Sequence, residues 1–335
     1  MREKINPSRR RFLAGTALVT AAVPVMQAAA SFANAAEGEA DLTGKSILIT
    51  GTSSGFGRLA AEHFARLGAK VFATMRNLPR PEAEELAGVA ERDGLDIQIL
   101  ELDVLSDESV SGAVAAAEAA AGGQLDVIVN NAGIGITGPV EVQDMQATEL
   151  AFNTNVFGPQ RVWQAALPAM RAAKSGQIFN VSSQLGRLIV PSAGHYSATK
   201  FALEAMSEQL AYELVPHGID VTIIQPGGYP TKIWVNRNRY NNELKARMPE
   251  ELREGYAQLV ARMGQEDGSG RSADPMDIPR AMSAIMAMPA SDRPLRKAVH
   301  PRFRPQEGVN EAMAKAQVDW LGNSAFGPWV KAVHG

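Results

Sequence analysis

Short apolar runs alternate along the chain with longer stretches whose apolar residues recur every three or four positions. The runs Lys45–Thr50, Lys70–Met75, Ile97–Leu102, Leu125–Val129, Gln177–Val181 and Val221–Gln225 have strand length and are rich in Val, Ile and Leu. Helical periodicity fills the spaces between them, at 58–67, 82–90, 108–121 and in one long segment over 147–172. Continuous apolar strands alternating with amphipathic helices predict an α/β fold, a doubly wound parallel sheet with helices on both faces. In such sheets ligands sit at the carboxyl ends of the strands. Each run here ends on polar or glycine-rich chain, at Gly51, Arg76, Asp103, Asn130, Ser182–Ser183 and Pro226–Gly227.

The first of these ends carries the clearest ligand signal. Gly51-Thr-Ser53-Ser54-Gly55-Phe56-Gly57 lies between a strand and a helix. Glycines there let the backbone approach a pyrophosphate, and the helix N-terminus offers it free N–H groups. At the end of the second strand, Thr74 and Arg76 stand where an acidic residue would select the NAD ribose. Arginine at that place favours the 2′-phosphate, so NADP(H) is expected over NAD(H).

The candidate chemistry lies between Gln177 and Phe201. Ser183 closes a strand, a Gly/Pro-punctuated loop follows, and Tyr196 and Lys200 sit four residues apart at the start of a helix. That spacing puts phenol and ammonium on one helix face. A nearby cation favours the phenolate by about 4 kcal/mol at 4 Å and an effective dielectric near 20, which makes tyrosine a usable proton donor and acceptor. A lone Tyr-x-x-x-Lys pair is also common on solvated helix faces, so its meaning depends on the rest of the chain.

Composition narrows the remaining classes. The 335 residues are 45% hydrophobic, carry a net charge of −3 and include no cysteine. Thiolate catalysis and Cys-ligated metals are excluded, and no basic excess points to nucleic acid. Five histidines without an H-x-x-x-H pair suggest no metal site, and His195, on a different helix face from Tyr196, reads as structural. Residues 1–35 read as a twin-arginine signal peptide: Ser8-Arg9-Arg10-Arg11-Phe12-Leu13, a weakly apolar stretch over 14–26, and Ala33-Asn34-Ala35 as cleavage site. The apolar stretch is too short to span a membrane. Its loss would shift the net charge from −3 to −7, and export through the twin-arginine (Tat) machinery would deliver a folded protein to the periplasm.

Together these motifs resemble the short-chain dehydrogenase/reductase family in its single-domain form, over roughly Lys45 to His300. They are Thr50-Gly51-x-x-x-Gly55-x-Gly57, Asp103, Asn130-Asn131-Ala132-Gly133, Asn155, Ser183, Tyr196-x-x-x-Lys200 and Pro226-Gly227-x-x-x-Thr231, in the family's order. The resemblance implies a Rossmann-like domain over 41–305 with a helical substrate lid at about 232–274, then a C-terminal extension, 306–335. It implies a catalytic tetrad in which Tyr196 moves the proton and Ser183 orients the substrate oxygen. Lys200 would lower the tyrosine pKa and bind the nicotinamide ribose, and Asn155 would hold a relay water. Cofactor contacts would come from Gly51, Ser53, Ser54, Gly55, Phe56, Gly57, Arg76, Asp103, Val104, Asn130, Ala132, Gly133, Tyr196, Lys200, Pro226, Gly227 and Thr231. The implied activity is interconversion of a carbonyl and a secondary alcohol, in a homodimer or homotetramer built on the Asn155 and Tyr196 helices. A nucleotide-bound sensor without turnover, or a dehydratase or epimerase, would use the same scaffold. Tyr229 departs from the family's usual aliphatic residue and is expected to narrow the pocket. The lid composition suits steroids, sugars and acyl chains equally.

Overall fold

Strand β1, Ser46–Ile49, is buried along its whole length and lies third from one edge of a seven-stranded sheet. The computed structural model describes residues 40–335, so the expected leader lies outside the described residues. Around β1 the strands run β3-β2-β1-β4-β5-β6-β7, every neighbouring pair parallel. The others are β2 (Lys70–Met75), β3 (Ile97–Glu101), β4 (Val127–Asn130), β5 (Gly176–Val181), β6 (Ile219–Pro226) and β7 (Arg296–Val299). The order reverses between β1 and β4, which opens a crevice at their carboxyl ends. This is the doubly wound sheet that the alternation of apolar runs predicts.

Two apolar layers cover the sheet. Ile47 and Ile49 face one layer with Phe64, Phe179 and Ile224, under α1 (Gly55–Arg66) and α10 (Asp277–Met286). Leu48 faces the other with Phe72, Ile128 and Ile178, under α3 (Asp107–Ala121), α5 (Gly158–Ala173) and α6 (Gly194–Leu214). The alternation Ile47–Leu48–Ile49 is the two-residue period of a strand buried on both faces. Helix α2 (Pro81–Asp93) follows β2 and lies against β3.

The long helix expected over 147–172 is interrupted. Helix α4 (Met145–Phe152) passes through a π turn, Asn153–Phe157, before α5 begins. Pro159 has no N–H to close the α-helical bond on Asn155, and Thr154 Oγ1 donates back to the Leu150 carbonyl at 2.8 Å. Both features widen the turn at that point.

The region after β6 forms α7 (Ile233–Arg247), α8 (Glu250–Gly255) and α9 (Ala257–Arg262). Its composition suggests a charged mobile lid, yet it has its own small core. Tyr240, Leu244, Val260 and Met263 pack on Ile134, Ile136 and Val142. The extension forms α11 (Glu307–Leu321) and α12 (Gly327–His334), with α12 against α6. Tyr212 and His334 meet at 2.6 Å, while Trp320 and Phe326 stay exposed. No helix among the described residues is long and apolar enough to cross a membrane.

Candidate active site

A cavity of about 890 Å³ opens at the carboxyl ends of the strands. Its floor is set by a clamp between two loops. Asn131 donates from Nδ2 to the Thr50 and Gly51 carbonyls at 2.9 and 3.0 Å, and Thr50 Oγ1 accepts from the Asn131 and Ala132 amides. Gly51 has φ +72°, and a Cβ there would lie 2.9 Å from Ala132 Cα. A Cβ on Gly57 would lie 2.5 Å from the Gly51 carbonyl oxygen and closer still to Asn131 Nδ2. Only glycine fits either place. Helix α1 then starts at the cavity with no side-chain cap on its first amides and no acidic residue in its first turn. Free N–H groups and a positive dipole end suit an anionic group such as a pyrophosphate.

The proton-transfer candidates come together on the opposite wall. Ser183 follows β5, is 9% exposed, and accepts a hydrogen bond from Leu185 N at 3.1 Å as the cap of a short 3-10 turn. It lines the same cavity as Tyr196. Burial pushes the Tyr196 phenol up, and the Ser183 hydroxyl and the Arg237 charge pull it partly back. Lys200 lies one turn further along α6, its Nζ 5.9 Å from the Tyr196 ring centroid. That Nζ donates to the Val181 carbonyl at 2.9 Å. Burial pulls the Lys200 ammonium down to about 8, against the opposing charge of Glu204. Lys200 thus lies by the Tyr196 ring, and Arg237 adds a second positive charge that acts on the phenol.

Asn155 is 1% exposed in the π turn. It is bonded both ways to Ile134: Oδ1 accepts from the amide at 2.8 Å and Nδ2 donates to the carbonyl at 2.9 Å. Nδ2 also reaches Thr199 Oγ1 at 3.0 Å. Its side chain thus ties the loop after β4 to the Tyr196 helix.

Most of the expected cofactor residues line the cavity: Gly51, Ser53, Ser54, Gly55, Phe56, Arg76, Asp103, Val104, Ala132, Gly133, Tyr196, Lys200, Pro226, Gly227 and Thr231. Gly57 and Asn130 are not among the lining residues. Gly57 is buried under the clamp, and Asn130 turns into the sheet, where its Nδ2 donates to Asn180 Oδ1 at 2.9 Å. Tyr229 is also among the lining residues, but it is held mostly within the protein. Its ring packs edge-on against Phe56 and His300 and its hydroxyl donates to Asp277, leaving the residue 2% exposed. His195 bonds Thr148 at 2.8 Å. Arg76 lies at the end of β2 with one N–H on the Tyr240 hydroxyl at 3.3 Å.

The charged lining contributed by the segment after β6 was not assigned from the sequence. Trp234 and Arg237 on α7, with Glu266 and Arg271 after α9, face the same cavity. A signal was present in the run Trp234-Val-Asn-Arg237, which sets both side chains on one helix face.

The short chain dehydrogenase family profile matches residues 45–242. A 3-ketodihydrosphingosine reductase from Bacteroides thetaiotaomicron is 40% identical over 192 residues, 57% of this chain and 66% of that protein. The match thus spans just under two thirds of that relative's length. An uncharacterized oxidoreductase of Bacillus subtilis, YusZ, is 35% identical over 70% of this chain and 81% of its own. Among solved structures, a short-chain dehydrogenase from Streptomyces avermitilis superposes with a TM-score of 0.65 at 29% identity, covering 82% of this chain and 96% of that one. The glycine turn, the parallel sheet that places it and these similarities lead to one conclusion: this chain belongs to the short chain dehydrogenase family.

Proposed function

We propose that the protein is an NADP(H)-dependent oxidoreductase that interconverts a carbonyl and a secondary alcohol, with Tyr196 as general acid and base. The observation that carries this reading is that Ser183, Tyr196 and Lys200 line one cavity whose other wall is the uncapped end of α1. The ketone named in the Bacteroides relative fits the same chemistry.

The residues present fit a nicotinamide dinucleotide. The Gly51–Gly57 turn would hold the pyrophosphate, Arg76 a 2′-phosphate, and the Pro226–Thr231 loop the nicotinamide end. When bound, the nicotinamide supplies or accepts the hydride. Tyr196, held protonated by burial, donates to the carbonyl oxygen in reduction, while Ser183 fixes that oxygen beside it. In oxidation Tyr196 must first shed its proton. Arg237 and Ser183 lower that cost, and Lys200, about ten-to-one protonated at pH 7 from a pKa of about 8, offers a ribose-binding ammonium below the ring. Asn155 holds the loop after β4 against the turn carrying Thr199, and its place in the π turn suits a relay through water. A homodimer built on the Asn155 and Tyr196 helices is supported by Phe157 and Phe201, which are 44% and 38% exposed there. Periplasmic export is supported by the Arg9-Arg10-Arg11 motif and the Ala33-Asn34-Ala35 site.

Tyr196→Phe is expected to lose at least a hundredfold in kcat while keeping nucleotide affinity; a near-normal rate would remove Tyr196 from proton transfer. Arg76→Asp is expected to shift kcat/KM from NADPH toward NADH, and an unchanged ratio would exclude Arg76 from phosphate recognition. Lys200 has a folded pKa below its unfolded one, so its burial costs stability in full below pH 8 and less as pH rises toward 10.5. Wild type should therefore gain roughly 2 kcal/mol on Lys200→Met between pH 7.5 and 10 in urea titrations. A pH-independent difference would mean that the lysine is not depressed. Expression of the full chain should yield a periplasmic product beginning at Ala36, and an uncleaved cytoplasmic product would refute the leader.

A further inference from the structure

Arg237 occupies an unusual place for a charged side chain. It lies on α7 with its stem against Gly135, where a Cβ would come within 3.2 Å of Arg237 Cδ. Its side chain is 16% exposed, and its Nε is buried without a hydrogen-bond partner among the described residues. The guanidinium lies 4.4 Å from the Trp234 ring centroid, and the Arg271 guanidinium lies 3.5 Å from the same ring. One carboxylate serves both arginines: Glu266 Oε2 is 2.8 Å from Arg237 Nη2 and 3.1 Å from Arg271 Nη2. Glu266 is itself half exposed. The group thus carries two positive charges against one negative, and it lines the same cavity as Tyr196.

We infer that Arg237 and Arg271 form an anion subsite, and that the substrate is a carbonyl compound bearing a carboxylate. The inference rests on the oxidoreductase reading of the same cavity. A planar guanidinium presents a fork of N–H donors that matches the two oxygens of a carboxylate, and stacking on Trp234 holds the fork in place. Glu266 takes only Nη2 of each arginine, so a bound anion would meet the guanidinium N–H groups that remain. The cofactor's phosphates would have other partners, at the start of α1 and at Arg76. Arg237 instead lines the cavity together with the acid that would protonate the substrate. A carboxylate bound there holds the carbonyl at Tyr196 and also partly cancels the Arg237 field. The phenol then remains protonated, as reduction requires. An ammonium-bearing ketone would be repelled by the same charges.

The test is kinetic and uses the mature protein with NADPH. The probes are 3-oxo acids of four to eight carbons, their methyl esters, and ketones of equal length ending in an ammonium group. Wild type is expected to favour acid over ester in kcat/KM by ten- to a hundredfold, with the ammonium ketones poorest. Arg237→Gln should cut the acid-to-ester ratio at least tenfold, with Arg237→Lys intermediate, while the NADPH dissociation constant, read by fluorescence, stays within about twofold. Equal use of acid and ester by wild type, or a ratio that survives Arg237→Gln, would overturn the subsite. Loss of NADPH affinity in Arg237→Gln would assign the arginine to the cofactor instead. Calorimetry with malonate on the NADP-bound protein separates the two readings without turnover. Malonate binding that depends on Arg237 supports the subsite even if no ketone is reduced, an outcome that would refute the oxidoreductase reading alone. Absence of malonate binding counts against the subsite whatever the turnover.

Discussion

A parallel sheet buried on both faces leaves its strands one place to present chemistry, which is their carboxyl edge. There the hydrogen-bond ladder ends and the chain must turn, so backbone and side-chain polar groups meet without solvent. The structure meets that demand with a connected set of bonds: Thr50 to Asn131, Asn130 to Asn180, Asn180 to Ser207, and Lys200 to the Val181 carbonyl. Each of these residues except the partly buried Asn131 is buried. Together they fix where the glycine turn, the Ser183 loop and the Tyr196 helix can lie. The cavity is the space that remains between them.

Burial at this edge also sets the electrostatics. It raises the Tyr196 phenol and lowers the Lys200 ammonium, so both groups lean toward their neutral forms. The charges that oppose this drift come from elsewhere in the chain. Glu204, one turn beyond Lys200, is bonded to Arg296 at 2.8 Å on β7 and lies 3.5 Å from Arg187 in the loop after Ser183. Asn310 of the C-terminal extension bonds both Arg187 and Gln225. The extension therefore braces the Ser183 loop and the end of β6 from behind. On the cavity side, Arg237 and Arg271 bring positive charge from the segment after β6.

How much was legible in advance follows from how local each signal is. The glycine turn, Tyr196 with Lys200, and the strand ends were readable because each is a short motif tied to one strand–turn–helix unit. Asn130 and Asn131 show the limit. They are adjacent and identical, and alternation along β4 sends one into the sheet and the other onto the turn. Tyr229 shows it again, since nothing local to it predicts that Phe56, His300 and Asp277 hold its ring.

The sequence by itself determined the alternation of strands and helices, hence the parallel doubly wound class, and the identity of residues at the strand ends. Periodicity and turn chemistry are properties of neighbouring residues, so they survive without coordinates. Which of those residues face the cavity, and that the segment after β6 has an apolar core of its own, came only with the folded chain. Those depend on the register of strands far apart in sequence and on the helix that covers them. Arg237 lies more than forty residues from Tyr196 on another element, and folding alone brings the two to one cavity.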